Sequence, residues 1–121
     1  MLRILIADDK ELVRTGLRML LEKHGDWIVC GEACDGSEAV AKAIALKPDV
    51  ILLDIAMPKL DGLKACRLLR DIAPNLLILV LTLYESPNVA SAAEAAGAHG
   101  YISKALIPRE LMPAIETITG H

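Results

Sequence analysis

With 121 residues, 54% of them hydrophobic, the chain has room for one domain around one apolar core and is far from the composition of a disordered segment. Its net charge of −3, with no dense Lys/Arg stripe, excludes the electrostatic footprint that nucleic-acid binding by this segment would require. Leu, Ile, Val and Ala dominate, with one Trp, two Tyr and no Phe, a balance that favours aliphatic strands covered by aliphatic helices.

The opening run Met1-Leu2-Arg3-Ile4-Leu5-Ile6-Ala7 is far shorter than a membrane span, and Asp8-Asp9 follow it before any cleavage pattern develops. Neither a signal peptide nor a transmembrane segment is expected. Arg3–Ala7 reads as the first strand, and Val13, Leu17, Leu20 and His24 then recur at the spacing of a one-sided helix. Trp27–Glu32 is the second strand, and Asp35-Gly36-Ser37-Glu38 resembles a capping box opening the second helix. Val50–Leu53 is the third strand, followed by Leu60, Leu63, Cys66, Leu69 and Ile72 at helical period. Leu76–Leu81 and Tyr101–Ser103 complete the strands, while Pro87 and Pro108 suit first helical turns, where a missing N–H costs nothing. On the last helix Leu111, Ile115 and Ile118 are expected in the core. The second and third strands are nearly continuous apolar runs, which predicts helices on both faces of a parallel sheet. No internal repeat, low-complexity stretch or linker interrupts the pattern.

Five βα units imply an α/β fold with a doubly wound, five-stranded parallel sheet. Right-handed crossovers leave few strand orders, and 2-1-3-4-5 is the common one for this many strands. Function in such sheets gathers beyond the carboxyl ends of the strands, and those ends are polar here. Asp8 and Asp9 follow the first strand, Asp54 ends the third, Thr82 ends the fourth and Lys104 follows the fifth. All five are expected to meet at one sheet edge. Taken singly, each has a plain explanation as a cap, a strand end or a solvated charge, but independent caps need not share one edge.

Bringing three carboxylates together is unfavourable, since one like-charge pair at ~5 Å costs roughly 3 kcal/mol at an effective dielectric near 20. A compensating cation is expected, and oxygen ligands without Cys or His suit Mg²⁺. Lys104 supplies a fixed ammonium for Asp54 at rest and for phosphoryl oxygens after transfer. Asp54 is the best nucleophile, because aspartyl phosphates are established covalent species and in-line attack needs positioning and charge neutralisation. A hydrogen bond from the Thr82 hydroxyl to a new phosphate would draw its loop inward and make a switch. Tyr101, three residues before Lys104, reads equally as a reporter ring or as packing. Cys30, Cys34 and Cys66 are odd in number and lack metal-like spacing, so they read as reduced, buried thiols of a cytoplasmic protein. His24, His99 and His121 share no ligand spacing and read as surface or helix-end residues.

The whole chain resembles the receiver domains of two-component response regulators. The resemblance is carried by Ile6-Ala7-Asp8-Asp9, by Leu53-Asp54-Ile55-Ala56-Met57-Pro58-Lys59-Leu60-Asp61-Gly62, by Leu81-Thr82 and by Gly97-Ala98-His99-Gly100-Tyr101-Ile102-Ser103-Lys104. It implies a flavodoxin-like receiver fold over residues 1–121 and Asp54 as phosphoacceptor. It further implies Mg²⁺ held by Asp8, Asp9, Asp54 and the Ala56 carbonyl, with Asp9 a direct ligand. Thr82 and Lys104 take phosphate-sensing positions and Tyr101 that of the switch aromatic. The implied partner is a sensor histidine kinase, with homodimer formation on phosphorylation. The last two blocks are most similar to the subfamily with a LuxR-type helix-turn-helix output domain, so DNA would be reached only through a domain absent from this chain. Such a domain is not an enzyme in the ordinary sense and catalyses only its own phosphorylation and dephosphorylation. Two departures stand out: Leu83 follows Thr82 where a small residue is frequent, which restricts access to Asp54, and Ala105 replaces a frequent Pro after Lys104. The resemblance leaves the Lys104–Ala105 peptide open to the cis form, at about 3 kcal/mol.

Other classes fit less well. Aspartyl-phosphate phosphatases need a second acid two residues after the nucleophile, and that position is Ala56. A flavin carrier needs a hydroxyl- and glycine-rich loop after the first strand, where Asp8-Asp9-Lys10-Glu11 would repel phosphate. A phosphorylation-independent interaction module keeps the fold, but only Leu83 favours it.

Overall fold

The computed structural model describes residues 1–83 and 86–120; His121, read above as an ordinary surface residue, lies outside them. Strands and helices alternate as β1 (Leu2–Ala7), α1 (Glu11–Leu21), β2 (Trp27–Ala33), α2 (Gly36–Leu46), β3 (Val50–Asp54), α3 (Gly62–Ile72), β4 (Leu77–Thr82), α4 (Pro87–Ala95), β5 (Gly100–Ser103) and α5 (Ile107–Thr119). The strands form one parallel sheet in the order β2-β1-β3-β4-β5. The expected topology is borne out, and β1 and β3 lie side by side where the winding reverses.

Because successive strand side chains point to opposite faces, each strand feeds two apolar layers. Leu5, Ala7, Ile51, Leu53, Ile78 and Val80 face α2, α3 and α4, while Ile4, Ile6, Val50, Leu52, Leu79 and Leu81 face α1 and α5. β3 is buried along its whole length, as its unbroken apolar run predicts. β2 is the edge strand that the predicted order made it, but it is not covered on both faces: Ile28 is 44% exposed. A bulge at Cys30 shifts the β1–β2 register between Ile4 and Leu5. Leu111 and Ile115 are fully buried, and Ile118 packs against the same layer.

The helix signals hold with adjustments. Asp35 accepts from the Glu38 amide at 2.8 Å, but Glu38 reaches back to the Cys34 amide, one residue earlier than in a strict capping box. Pro87 opens α4 behind a Ser86 cap, and Pro108 sits in the first turn of α5. His24 and Leu60 fall outside α1 and α3, and Ile72 is 48% exposed. The cysteines are free, but only Cys66 is buried: Cys34 is exposed in the turn after β2 and Cys30 is half-buried beside the bulge. Among the described residues no peptide bond is cis, and Lys104–Leu106 forms a single 3₁₀ turn leading into α5. No helix among them is long and apolar enough to cross a membrane.

Candidate functional site

The carboxyl ends of β1, β3, β4 and β5 bring their polar residues to one sheet edge. Asp8 follows β1, and its backbone amide is tied to the Ala33 carbonyl of β2 at 3.0 Å. Asp8 does not cap α1; the N-cap is Lys10, without a side-chain cap bond, and the Lys10 amide instead donates to Asp8 Oδ1 at 2.9 Å. Asp54 is the last residue of β3 and pairs in register with Leu81 of β4. Thr82 is therefore one step beyond that level on the neighbouring strand, opposite Ser103 of β5, which brings Lys104 to the same edge. Asp8, Asp54 and Thr82 are all buried, at 0%, 1% and 3% exposure.

The sequence places Lys104 against Asp54; the structure gives it two partners. Its Nζ lies 2.6 Å from Asp8 Oδ2 and 3.2 Å from Asp54 Oδ2, so Asp8 holds it more closely. Asp54 Oδ1 accepts from the Ala56 amide at 3.0 Å, whereas the buried Oδ2 has Lys104 nearby but in no hydrogen-bond geometry. One oxygen from each of Asp8, Asp9 and Asp54 lies within 4.8 Å of the others. Asp9 is the exposed member, with a distant contact to Lys10 at 3.8 Å.

These charges do not balance. At 4.8 Å one carboxylate pair repels by about 3 kcal/mol at an effective dielectric near 20, and the three acids have one buried ammonium, Lys104, and the exposed Lys10 at 3.8 Å from Asp9. Burial pushes the Asp54 carboxyl above its ordinary range and the charge of Asp8 adds to the rise, against the opposing Ala56 amide bond and Lys104. Burial pulls Lys104 down, but its bond to Asp8 and the charges of both acids prevail and hold the ammonium above its ordinary value. A three-carboxylate oxygen set whose buried Asp54 Oδ2 has an ion pair to Lys104 at 3.2 Å but no hydrogen bond fits a hard divalent cation. A second acidic group, Cys34, Asp35 and Glu38, is already neutralised by Lys59 and Lys42 and serves the cap of α2.

Packing under the pocket depends on two glycines. A Cβ on Gly62 would stand 2.3 Å from the Asp54 carbonyl oxygen and 2.4 Å from Ile55 Cα, so only glycine lets α3 start directly behind the nucleophile candidate. At Gly36 it would meet the Leu60 carbonyl at 1.7 Å, which pins the loop between β3 and α3 to α2. Neither role is visible in the sequence beyond Gly62 following the cap residue Asp61. Tyr101 is half-buried against the layer under α4, and Leu83 is 53% exposed at the rim.

The model of the response regulator receiver domain matches residues 4–116. The chain belongs to this family. Among curated relatives it is 40% identical to the Bacillus subtilis transcriptional regulatory protein YxjL over 114 residues, covering 94% of this chain and 52% of that protein. It is 37% identical to the response regulator GacA of Pseudomonas viridiflava over 118 residues, covering 98% and 55%. The chain thus spans about half the length of the curated relatives it matches. A LuxR-family two-component response regulator from Aurantimonas sp. superposes with a TM-score of 0.92 at 36% identity, covering 96% of this chain and 83% of that one. The chain is a receiver domain of a two-component response regulator, with LuxR-type regulators among its relatives.

Proposed function

We propose that this receiver is a phosphorylation-dependent switch in which Asp54 accepts a phosphoryl group from a sensor histidine kinase. The observation that carries the reading is the Asp54 carboxylate itself: it is buried among acids, holds one oxygen on the Ala56 amide, and leaves Oδ2 unbonded beside Lys104. Asp54 attacks the phosphorus of a phosphohistidine, the P–N bond breaks, and the imidazole keeps the electron pair and takes a proton. Water reverses the modification by attacking phosphorus and breaking the bond to Asp54, so the domain's chemistry is confined to its own phosphorylation and dephosphorylation.

Asp8, Asp9, Asp54 and the Ala56 carbonyl are the residues that would hold Mg²⁺. When bound, it neutralises charge on the carboxylates and on the phosphoryl oxygens. Lys104 pairs with the phosphoryl group after transfer, and the Thr82 hydroxyl donates to it, drawing in the loop after β4. Tyr101, on the strand next to β4, follows that movement. The resulting change on α4, β5 and α5 supports formation of a homodimer and transmission to a helix-turn-helix output domain of the kind found in LuxR-type regulators. Reduced thiols and aspartyl phosphate chemistry are consistent with a cytoplasmic setting.

Intact mass after incubation with acetyl phosphate and Mg²⁺ tests the reading. One added phosphoryl group, abolished by Asp54→Asn and by chelation, is expected. No adduct, or an adduct that survives Asp54→Asn, would overturn it.

A further inference from the structure

Arg14 joins the acidic pair from outside the pocket. It lies in the first turns of α1 with a side chain only 17% exposed, and its Nη1 donates to the Asp8 carbonyl at 2.8 Å. Its Nε donates at 2.9 Å to Glu32 Oε1 on β2. The other Glu32 oxygen is held by Arg18 through Nε at 2.9 Å and Nη2 at 2.7 Å, and Arg18 continues to Glu22 at 3.1 Å. Lys42 of α2 donates to the Glu32 backbone carbonyl. Arg18 first, and Arg14 with it, hold the Glu32 carboxyl below its ordinary range, so the anchor stays charged.

The Asp8 carbonyl belongs to the peptide unit that joins Asp8 to Asp9. That unit is planar, so fixing its oxygen fixes the plane from which the Asp9 backbone departs. The Asp8 amide is fixed by Ala33 and the Lys10 amide closes a turn onto Asp8 Oδ1 at 2.9 Å, and the bond from Arg14 adds a tie on the carbonyl between them. Mutual repulsion of Asp8, Asp9 and Asp54 acts to swing it away. A guanidinium, with its donors in a rigid fork, opposes that swing in a way a single ammonium would not.

We propose that Arg14, anchored by Glu32, is a positioning residue that holds the Asp8–Asp9 peptide where both carboxylates reach one divalent cation, a role that rests on the Mg²⁺-dependent reading above. It touches neither the cation nor the phosphoryl group. A purely structural Arg14, docking α1 on β2, would change stability without changing how the acids meet the ion.

Isothermal titration with Mg²⁺, and the Mg²⁺ dependence of phosphorylation by acetyl phosphate, separate the two. Arg14→Met is expected to raise the half-saturating Mg²⁺ concentration about tenfold in both measurements while the plateau rate at saturating Mg²⁺ stays within about twofold. Glu32→Gln, which keeps an acceptor but not the charge, falls between Arg14→Met and the unaltered chain. Leu21→Val perturbs the buried far end of α1 without touching the brace and should leave half-saturation unchanged. Unchanged Mg²⁺ affinity in Arg14→Met, a fall confined to the plateau, or an equal shift in Leu21→Val would overturn the proposal. A chain that binds Mg²⁺ with this Arg14 dependence yet takes up no phosphoryl group would overturn the switch reading and leave the brace supported.

Discussion

Replacing Lys104 by methionine keeps an unbranched chain one atom shorter and removes the cation that bridges Asp8 and Asp54. At 2.6 and 3.2 Å the two attractions are worth about 6 and 5 kcal/mol at an effective dielectric near 20. Much of that is returned, because the buried ammonium no longer has to be stripped of water; removing one partner of a buried pair typically costs 3–5 kcal/mol in net stability, roughly what is expected here. Urea unfolding at pH 7 in chelator, followed by far-UV dichroism and by emission of the buried Trp27, measures it. The loss should depend on pH with a definite sign. A carboxyl whose folded pKa is raised, like Asp54, binds more protons folded than unfolded, so stability falls as pH rises from its unfolded pKa through its folded one. Without Lys104 that window extends to higher pH, so the deficit of Lys104→Met is full at pH 7 and shrinks toward pH 4. Adding Asp54→Asn should recover part of it. A deficit below about 1 kcal/mol at pH 7, or one indifferent to pH, would refute the reasoning.

Gly62→Ala drives a Cβ into the Asp54 carbonyl and should cost about 1–3 kcal/mol while lowering phosphoryl uptake, both measurable on one purified sample; an unperturbed variant would mean that α3 retracts freely. Leu83→Ala trims the exposed rim residue and should speed both uptake from acetyl phosphate and subsequent hydrolysis several-fold, read as adduct against time. His99 donates its amide to the Ile78 carbonyl at 2.8 Å and accepts the Ile78 amide on Nδ1 at 3.0 Å, and burial with the charge of Arg70 lowers its pKa. Its contribution is therefore present above the unfolded value near 6.5 and lost as pH falls below it, and His99→Ala should remove roughly 1 kcal/mol at pH 7.5 and flatten the decline in chevron-derived stability between pH 7 and 5.

β1, β3 and β4 were legible as aliphatic runs long enough to be buried, β2 and β5 as shorter apolar stretches between turn residues, and the order followed from the few windings open to five parallel strands. That order alone carried Asp8, Asp54, Thr82 and Lys104 to one edge. Finer relations were not legible, for physical reasons. The predicted order put β2 at the edge, but its apolar run was still read as covered on both faces, and Ile28 is exposed. A free cysteine in a turn reads like one in a strand, so Cys34 was expected inside. Which acid holds Lys104 depends on the reach of a four-carbon side chain across three strands, and Asp8 prevails by 0.6 Å, the difference between 2.6 and 3.2 Å. His99 behaves as an added strand residue, pairing with Ile78 through amide and ring nitrogen, a role no spacing rule announces.

The site combines a rigid frame with an unsettled charge. β3 is buried throughout, Gly62 lets α3 start directly behind it, and Arg14 links the Asp8 carbonyl to Glu32 of β2. In the proposed switch, transfer to Asp54 replaces one negative charge with about two, and the balance between Asp8 and Asp54 on Lys104 must be redrawn. In that proposal a shift of Lys104 would act on Ser103, which pairs with Thr82, and on Tyr101, two residues before Ser103, which pairs with Val80. In the proposed switch, charge at one strand end would thereby reach β4 and β5 through two neighbouring registers. A group needs no long pathway to signal when the residues that sense it and the residues that move are rungs of the same ladder.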